Sequence, residues 1–136
     1  MKVSRIRALR GPNLWTQHTA IEAVVSCSPQ ECAVTADPGF EIRLRTRFPA
    51  ISPLQPTGHD SQVTLAHVLG LAAIDLQSQA GSRATFRRTA ETVDIGTYQV
   101  VFGYTEEAVG RLALQLAEAL CLAAQNDTPF NLNKAL

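Results

Sequence analysis

The spacing of apolar and polar positions changes several times along this 136-residue chain, and each change marks an element. Residues 2–10 (KVSRIRALR) set Val3, Ile6 and Leu9 among charges and predict an opening strand, ended by the turn-forming Gly11-Pro12-Asn13. Residues 19–27 (TAIEAVVSC) are apolar and β-branched and predict a second strand, antiparallel to the first, with a loop over residues 28–39. Residues 40–48 (FEIRLRTRF) fit two templates. The alternation of Phe40, Ile42, Leu44, Thr46 and Phe48 fits a strand. The four-residue spacing of Phe40, Leu44 and Phe48, with Asp37 as an N-cap and Pro38 in the first helical position, favours a helix. Residues 49–60 read as a loop.

From about residue 61 to residue 80 the chain is apolar almost all round, which predicts a core helix closed by Gly81 in the left-handed conformation. A short strand over 84–88 (ATFRR) and a loop over 89–96 lead to the clearest strand, 97–104 (TYQVVFGY). On it Tyr98, Phe102 and Tyr104 share one face and read as sheet packing. The last helix follows, with Thr105 as cap, Glu106 and Glu107 in its first turn, and Leu112, Leu116 and Leu120 as an inward stripe. The pattern predicts an α+β fold, an antiparallel sheet of about four strands with helices packed on one face. One domain over residues 1–125 would pass into a polar tail at 126–136 that reads as the start of a linker.

Composition adds a local asymmetry to a neutral whole. Twelve Lys and Arg balance twelve Asp and Glu, which argues against nucleic-acid or membrane partners. All basic residues except Lys2 and Lys134 are arginine, and all of these but Arg111 are gathered as Arg5, Arg7, Arg10; Arg43, Arg45, Arg47; and Arg83, Arg87, Arg88. Arginine suits two-pronged recognition of carboxylates, so the clusters point to an anionic partner, with intramolecular ion pairing as the alternative. The start of the chain has no long apolar run of a secretory signal, and Cys27, Cys32 and Cys121 have no C-x-x-C spacing. Both features fit reduced thiols and a cytoplasmic location.

Catalytic templates are missing from the pattern: no phosphate-cradling glycine loop and no nucleophile elbow occur. His18, His59 and His67 lie far apart, and Asp75, eight residues beyond His67, stands about 12 Å along the helix axis, too far to share a metal with it. Spacing alone makes His67 a core or rim histidine. Asn13 and Trp15 read as residues that fix the loop after the first strand.

Three segments, RALRGPNLW, HVLGLAAIDLQSQAG and RRTAETVDIGTYQVVFGYTEEAVGR, together resemble the N-terminal domain of the cyanophycin synthetase family, in matching order from about residue 7 to residue 124. Residues between Cys27 and Gly58 match poorly. The resemblance implies a domain that holds a growing polymer of aspartate backbone and arginine branches for ATP-dependent ligase modules. Those modules, of the ATP-grasp and Mur-ligase-like types, would follow this chain and carry ATP and Mg; no cofactor is expected here. A homo-oligomer is expected for the full enzyme. Some family members carry an H-x-x-E-H metallopeptidase-like site in this domain. At the matching positions His67 is kept, but Gly70 replaces the general base and Leu71 the second histidine, so the resemblance implies a lost site with no bound metal and no catalytic residue. The residues expected to bind polymer are Arg87, Arg88 and Glu91, then Arg83, Arg43 and Arg47; alternatively, Arg88 and Glu91 pair with each other. Two other roles stay open: a primer-generating peptidase rebuilt from His67 and His59, and a scaffold or oligomer-contact domain using the alanine-rich last helix.

Overall fold

A computed structural model describes residues 1–54 and 63–132. Its elements are β1 (Lys2–Leu9), β2 (Ala20–Ser26), a 3-10 segment (Glu31–Ala36), α1 (Phe40–Arg47), α2 (Leu65–Gln79), β3 (Arg87–Glu91), β4 (Thr97–Gly103) and α3 (Glu107–Asn126). The strands form one antiparallel sheet in the order β1-β2-β4-β3. The fold is α+β, with helices on one face of a four-stranded sheet, as the periodicity predicts.

Register explains which strands lie inside. Ile21, Ala23 and Val25 of β2 stand directly opposite Phe102, Val100 and Tyr98 of β4, and all six are buried in the core. Opposed residues share a sheet face, so this apolar ladder is the face that α2 and α3 cover. Gly70 sets how close α2 can come: a Cβ there would stand 3.2 Å from Val100 Cγ1. The helix ends where expected, with Gly81 at φ +86.

The differences from sequence expectation have local causes. Val3, Ile6 and Leu9 recur every three residues, not every two, and β1 accommodates this with a register shift between Ser4 and Arg7 and a positive φ at Arg5. Ile6 consequently stays 41% exposed. The loop expected over 28–39 contains the 3-10 segment. The ambiguous stretch 40–48 is helical, but α1 begins at Phe40 with Gly39 as its N-cap, and no side chain caps it. Asp37 instead accepts from the Gly39 amide at 3.0 Å and from Arg43 Nη2 at 2.6 Å. The α2 cap is Thr64, whose hydroxyl accepts from the His67 amide at 3.0 Å; the expected start at Ser61 lies outside the described residues. The third strand begins three residues later than 84–88 and takes Thr89 to Glu91 out of the expected loop. In α3 the N-cap is Glu106, not Thr105, and the buried stripe runs through Leu114, Leu116, Ala117, Leu120 and Cys121, leaving Leu112 40% exposed. Among the described residues, no helix is long and apolar enough to cross a membrane.

Candidate functional site

The sheet face turned away from the helices carries a polar constellation that starts from one buried charge. Glu22 is the sole charged residue of β2 and is only 6% exposed. Register sets it level with Arg7 of β1 on one side, and with Val101 of β4 and Arg88 of β3 on the other. Arg7 Nε donates to Glu22 Oε1 at 2.9 Å, and the Trp15 indole donates to Oε2, also at 2.9 Å. The guanidinium of Arg88 lies 5.5 Å from the centre of the Trp15 ring, within cation–π range. Cation, carboxylate, indole and cation thus form one row across the strands.

The loop that delivers Trp15 is rigid because Asn13 closes it on itself. Its side-chain amide donates to the carbonyls of Arg10 and His18, and its Oδ1 accepts from the amides of Trp15 and Thr16. Asn13 therefore fixes the loop, as read from the sequence, whereas Trp15 belongs to the polar row itself. At the same end of the sheet this loop borders a cleft of about 610 Å³, lined by Gln17, His18, Thr19, Arg83, Phe86 and Tyr104 among others.

The six arginine and glutamate candidates separate into four places. Arg88 is on the open face. Arg87 and Glu91, an odd number of residues away, project from the opposite face of β3, so the alternative of an Arg88–Glu91 pair does not form. Glu91 Oε2 accepts from the Gly96 amide at 3.2 Å and pins the β3–β4 turn. Arg83 lines the cleft. Arg43 and Arg47 lie elsewhere and are engaged internally: Arg43 donates to the Ala124 carbonyl at 2.7 Å, and Arg47 to the Thr128 carbonyl and Asp127 carboxylate. Both clamp the end of α3. Glu22 was missed by the sequence reading, and Arg7 and His18 enter there only as one of an arginine cluster and as an isolated histidine; the available signal was a single charge inside an otherwise apolar strand.

His67 sits in the first turn of α2, half-buried, with Gly70 against the sheet and Leu71 3% exposed. Among the described residues, no three His, Cys, Asp or Glu side chains are grouped so that they could hold a metal; His59 lies outside those residues. Burial, and then the positive charge of Arg87, hold the His67 imidazole below its ordinary value of 6.5. A folded-state value below the unfolded one means that the stability from this group is complete above about pH 6.5 and falls as pH drops below it. In an NMR titration, Arg87→Ala is expected to raise the His67 midpoint; an unchanged midpoint would show that Arg87 does not act on it. Burial likewise pushes the Cys27 thiol up to about 11, and all three cysteines are free.

These features define a small α+β domain with a mixed-charge, aromatic-backed patch on its helix-free face. The family model described as the cyanophycin synthase-like N-terminal domain matches residues 59–126, half of the chain. The chain belongs to this family. Cyanophycin synthetase of Trichormus variabilis (strain ATCC 29413 / PCC 7937) is 33% identical over 133 residues, covering 89% of this chain and 15% of that protein. Cyanophycin synthetase of Synechocystis sp. (strain ATCC 27184 / PCC 6803 / Kazusa) is 30% identical over 146 residues, covering 98% of this chain and 17% of that protein. The chain therefore spans less than a fifth of the length of these relatives.

Proposed function

We propose that this chain is the non-catalytic, polymer-holding domain of a cyanophycin synthetase, and that its ligand is the aspartate–arginine polymer. The observation that carries the proposal is the row Arg7–Glu22–Trp15–Arg88 on the sheet face that the helices leave bare. A zwitterionic chain needs both signs within a short span. Arg88, laid against the indole, keeps guanidinium N–H groups free for a carboxylate, and Arg83 and His18 extend the surface into the neighbouring cleft. The individual contacts are exposed and screened, so affinity comes from several acting together along the polymer. The metallopeptidase-like alternative has less support, because Gly70 and Leu71 replace the residues such a site requires. ATP, Mg and the ligase steps belong to further modules.

Titration of soluble aspartate–arginine oligomers at low salt is expected to move the NMR signals of Arg88, Trp15 and Arg83, and the binding should weaken as salt rises. Arg88→Ala should weaken it by about tenfold, on the order of 1.4 kcal/mol. Signals on this face that stay fixed at low salt would overturn the proposal. New chain ends formed with zinc, and lost in His67→Ala, would establish the peptidase instead.

A further inference from the structure

We infer that a second copy of this chain docks edge to edge on β3, extending the two sheets into one across a two-fold axis through Thr89. The sheet has two edges, and they differ. β1 is broken by a register shift and a positive φ at Arg5, features that discourage strand addition. β3 is an unbroken run, Arg87-Arg88-Thr89-Ala90-Glu91, with neither proline nor lysine and regular register against β4.

The hydrogen bonds at the two ends of this run establish which backbone groups are free. Phe86 accepts from the Gly103 amide at 2.8 Å, and the Thr92 amide donates to Thr97 at 2.8 Å. Even-numbered residues of the run therefore bond to β4. The N–H and C=O groups of Arg87, Thr89 and Glu91 point outward, away from the sheet. An antiparallel second copy with Thr89 opposite its own mate sets Arg87 opposite Glu91, twice, and all three outward pairs are then hydrogen-bonded pairs, about six bonds in all.

Charge selects this register. Arg87 has no hydrogen-bond or ion-pair partner among the described residues, and Glu91, although its carboxylate meets the Gly96 amide and the Tyr98 hydroxyl, is solvent-exposed and has no cationic partner among them. Opposite charges directly across a ladder attract, and both ion pairs arise only in this alignment. Shifting by two residues leaves at least one of these arginines without its glutamate. The terminal helix, with its small residues, is not needed for this contact. The two-fold stands perpendicular to the sheet, so the Arg88 faces of both copies lie on the same side and remain open.

The contact is smaller than a standard interface, so a reversible dimer with a dissociation constant on the order of 10–100 μM is expected. Sedimentation velocity over a concentration series, without any polymer, reads it apart from ligand binding. Arg87→Glu and Glu91→Arg should each weaken self-association by about tenfold or more, and an equimolar mixture of the two should restore it, because each ion pair is re-formed across the mixed dimer. Thr89→Pro removes an N–H that points away from β4; it should abolish the dimer while the circular dichroism spectrum and the binding by Arg88 stay unchanged. A parent chain that is monomeric throughout, a dimer unaffected by Thr89→Pro, or mixed charge variants that fail to associate would each overturn the inference.

Discussion

Gly70→Glu is expected to destabilise the domain by about 3–5 kcal/mol, a large share of the ~5–15 kcal/mol typical of a folded protein. The position faces the sheet at the closest approach of α2, where an added Cβ would meet Val100 Cγ1 at 3.2 Å and Thr89 Oγ1 at 3.7 Å. A glutamate must push the helix outward and also place a carboxylate against apolar side chains. Gly70→Ala separates the two effects: it adds only the Cβ and should cost about 1 kcal/mol or less, since its higher helix propensity offsets part of the crowding. Urea unfolding measures both. The forced carboxyl would also titrate above its ordinary value, so the penalty should shrink as pH falls through that raised value. A Gly70→Glu domain as stable as its parent, at neutral pH, would mean that α2 stands away from the sheet.

Trp15→Ala is expected to cost about 2–4 kcal/mol and, on the proposed function, to remove most polymer affinity. The ring contributes packing over the sheet, and its N–H is one of two donors to the buried Glu22 carboxylate. Truncation leaves that carboxylate with Arg7 alone and lets water reach it, and Arg88 loses the surface on which it lies. Trp15→Phe keeps the ring and removes the donor, so its cost should be near 1–2 kcal/mol, with affinity largely kept. Equal losses for both variants would place the whole effect in the hydrogen bond. No loss of stability in either would show that Glu22 is held without the indole.

Much of the fold was legible in local pattern. The β-branched run at residues 19–27 and the alternation at 97–104 specify strands that are buried on one face, and register then follows from keeping Ile21, Ala23 and Val25 beside Phe102, Val100 and Tyr98. The helix at 40–47 was legible once the four-residue spacing was weighed against alternation. Boundaries were less so. Thr89 to Glu91 look like loop residues in isolation, and they are in a strand because β4 offers them partners. Leu112 looked inward by spacing with Leu116 and Leu120, but α3 turns the face through Leu114 and Cys121 toward the core.

The candidate site was legible in part, as residue types without places. Three arginine clusters could be counted, but whether each was free could not. Arg43 and Arg47 clamp the end of α3 from about eighty residues away in sequence, a pairing that local pattern does not carry. Glu22 in an apolar strand was an anomaly with no partner in view, because Arg7 and Trp15 reach it from another strand and a loop, and Arg88 joins only by lying over the Trp15 ring. The sequence by itself determined most of the elements, the α+β class and the family. Only the tertiary structure decided which charges stand side by side and which backbone edge stays unpaired. Periodicity reports the face that one element buries, whereas a site depends on how separate elements are aligned.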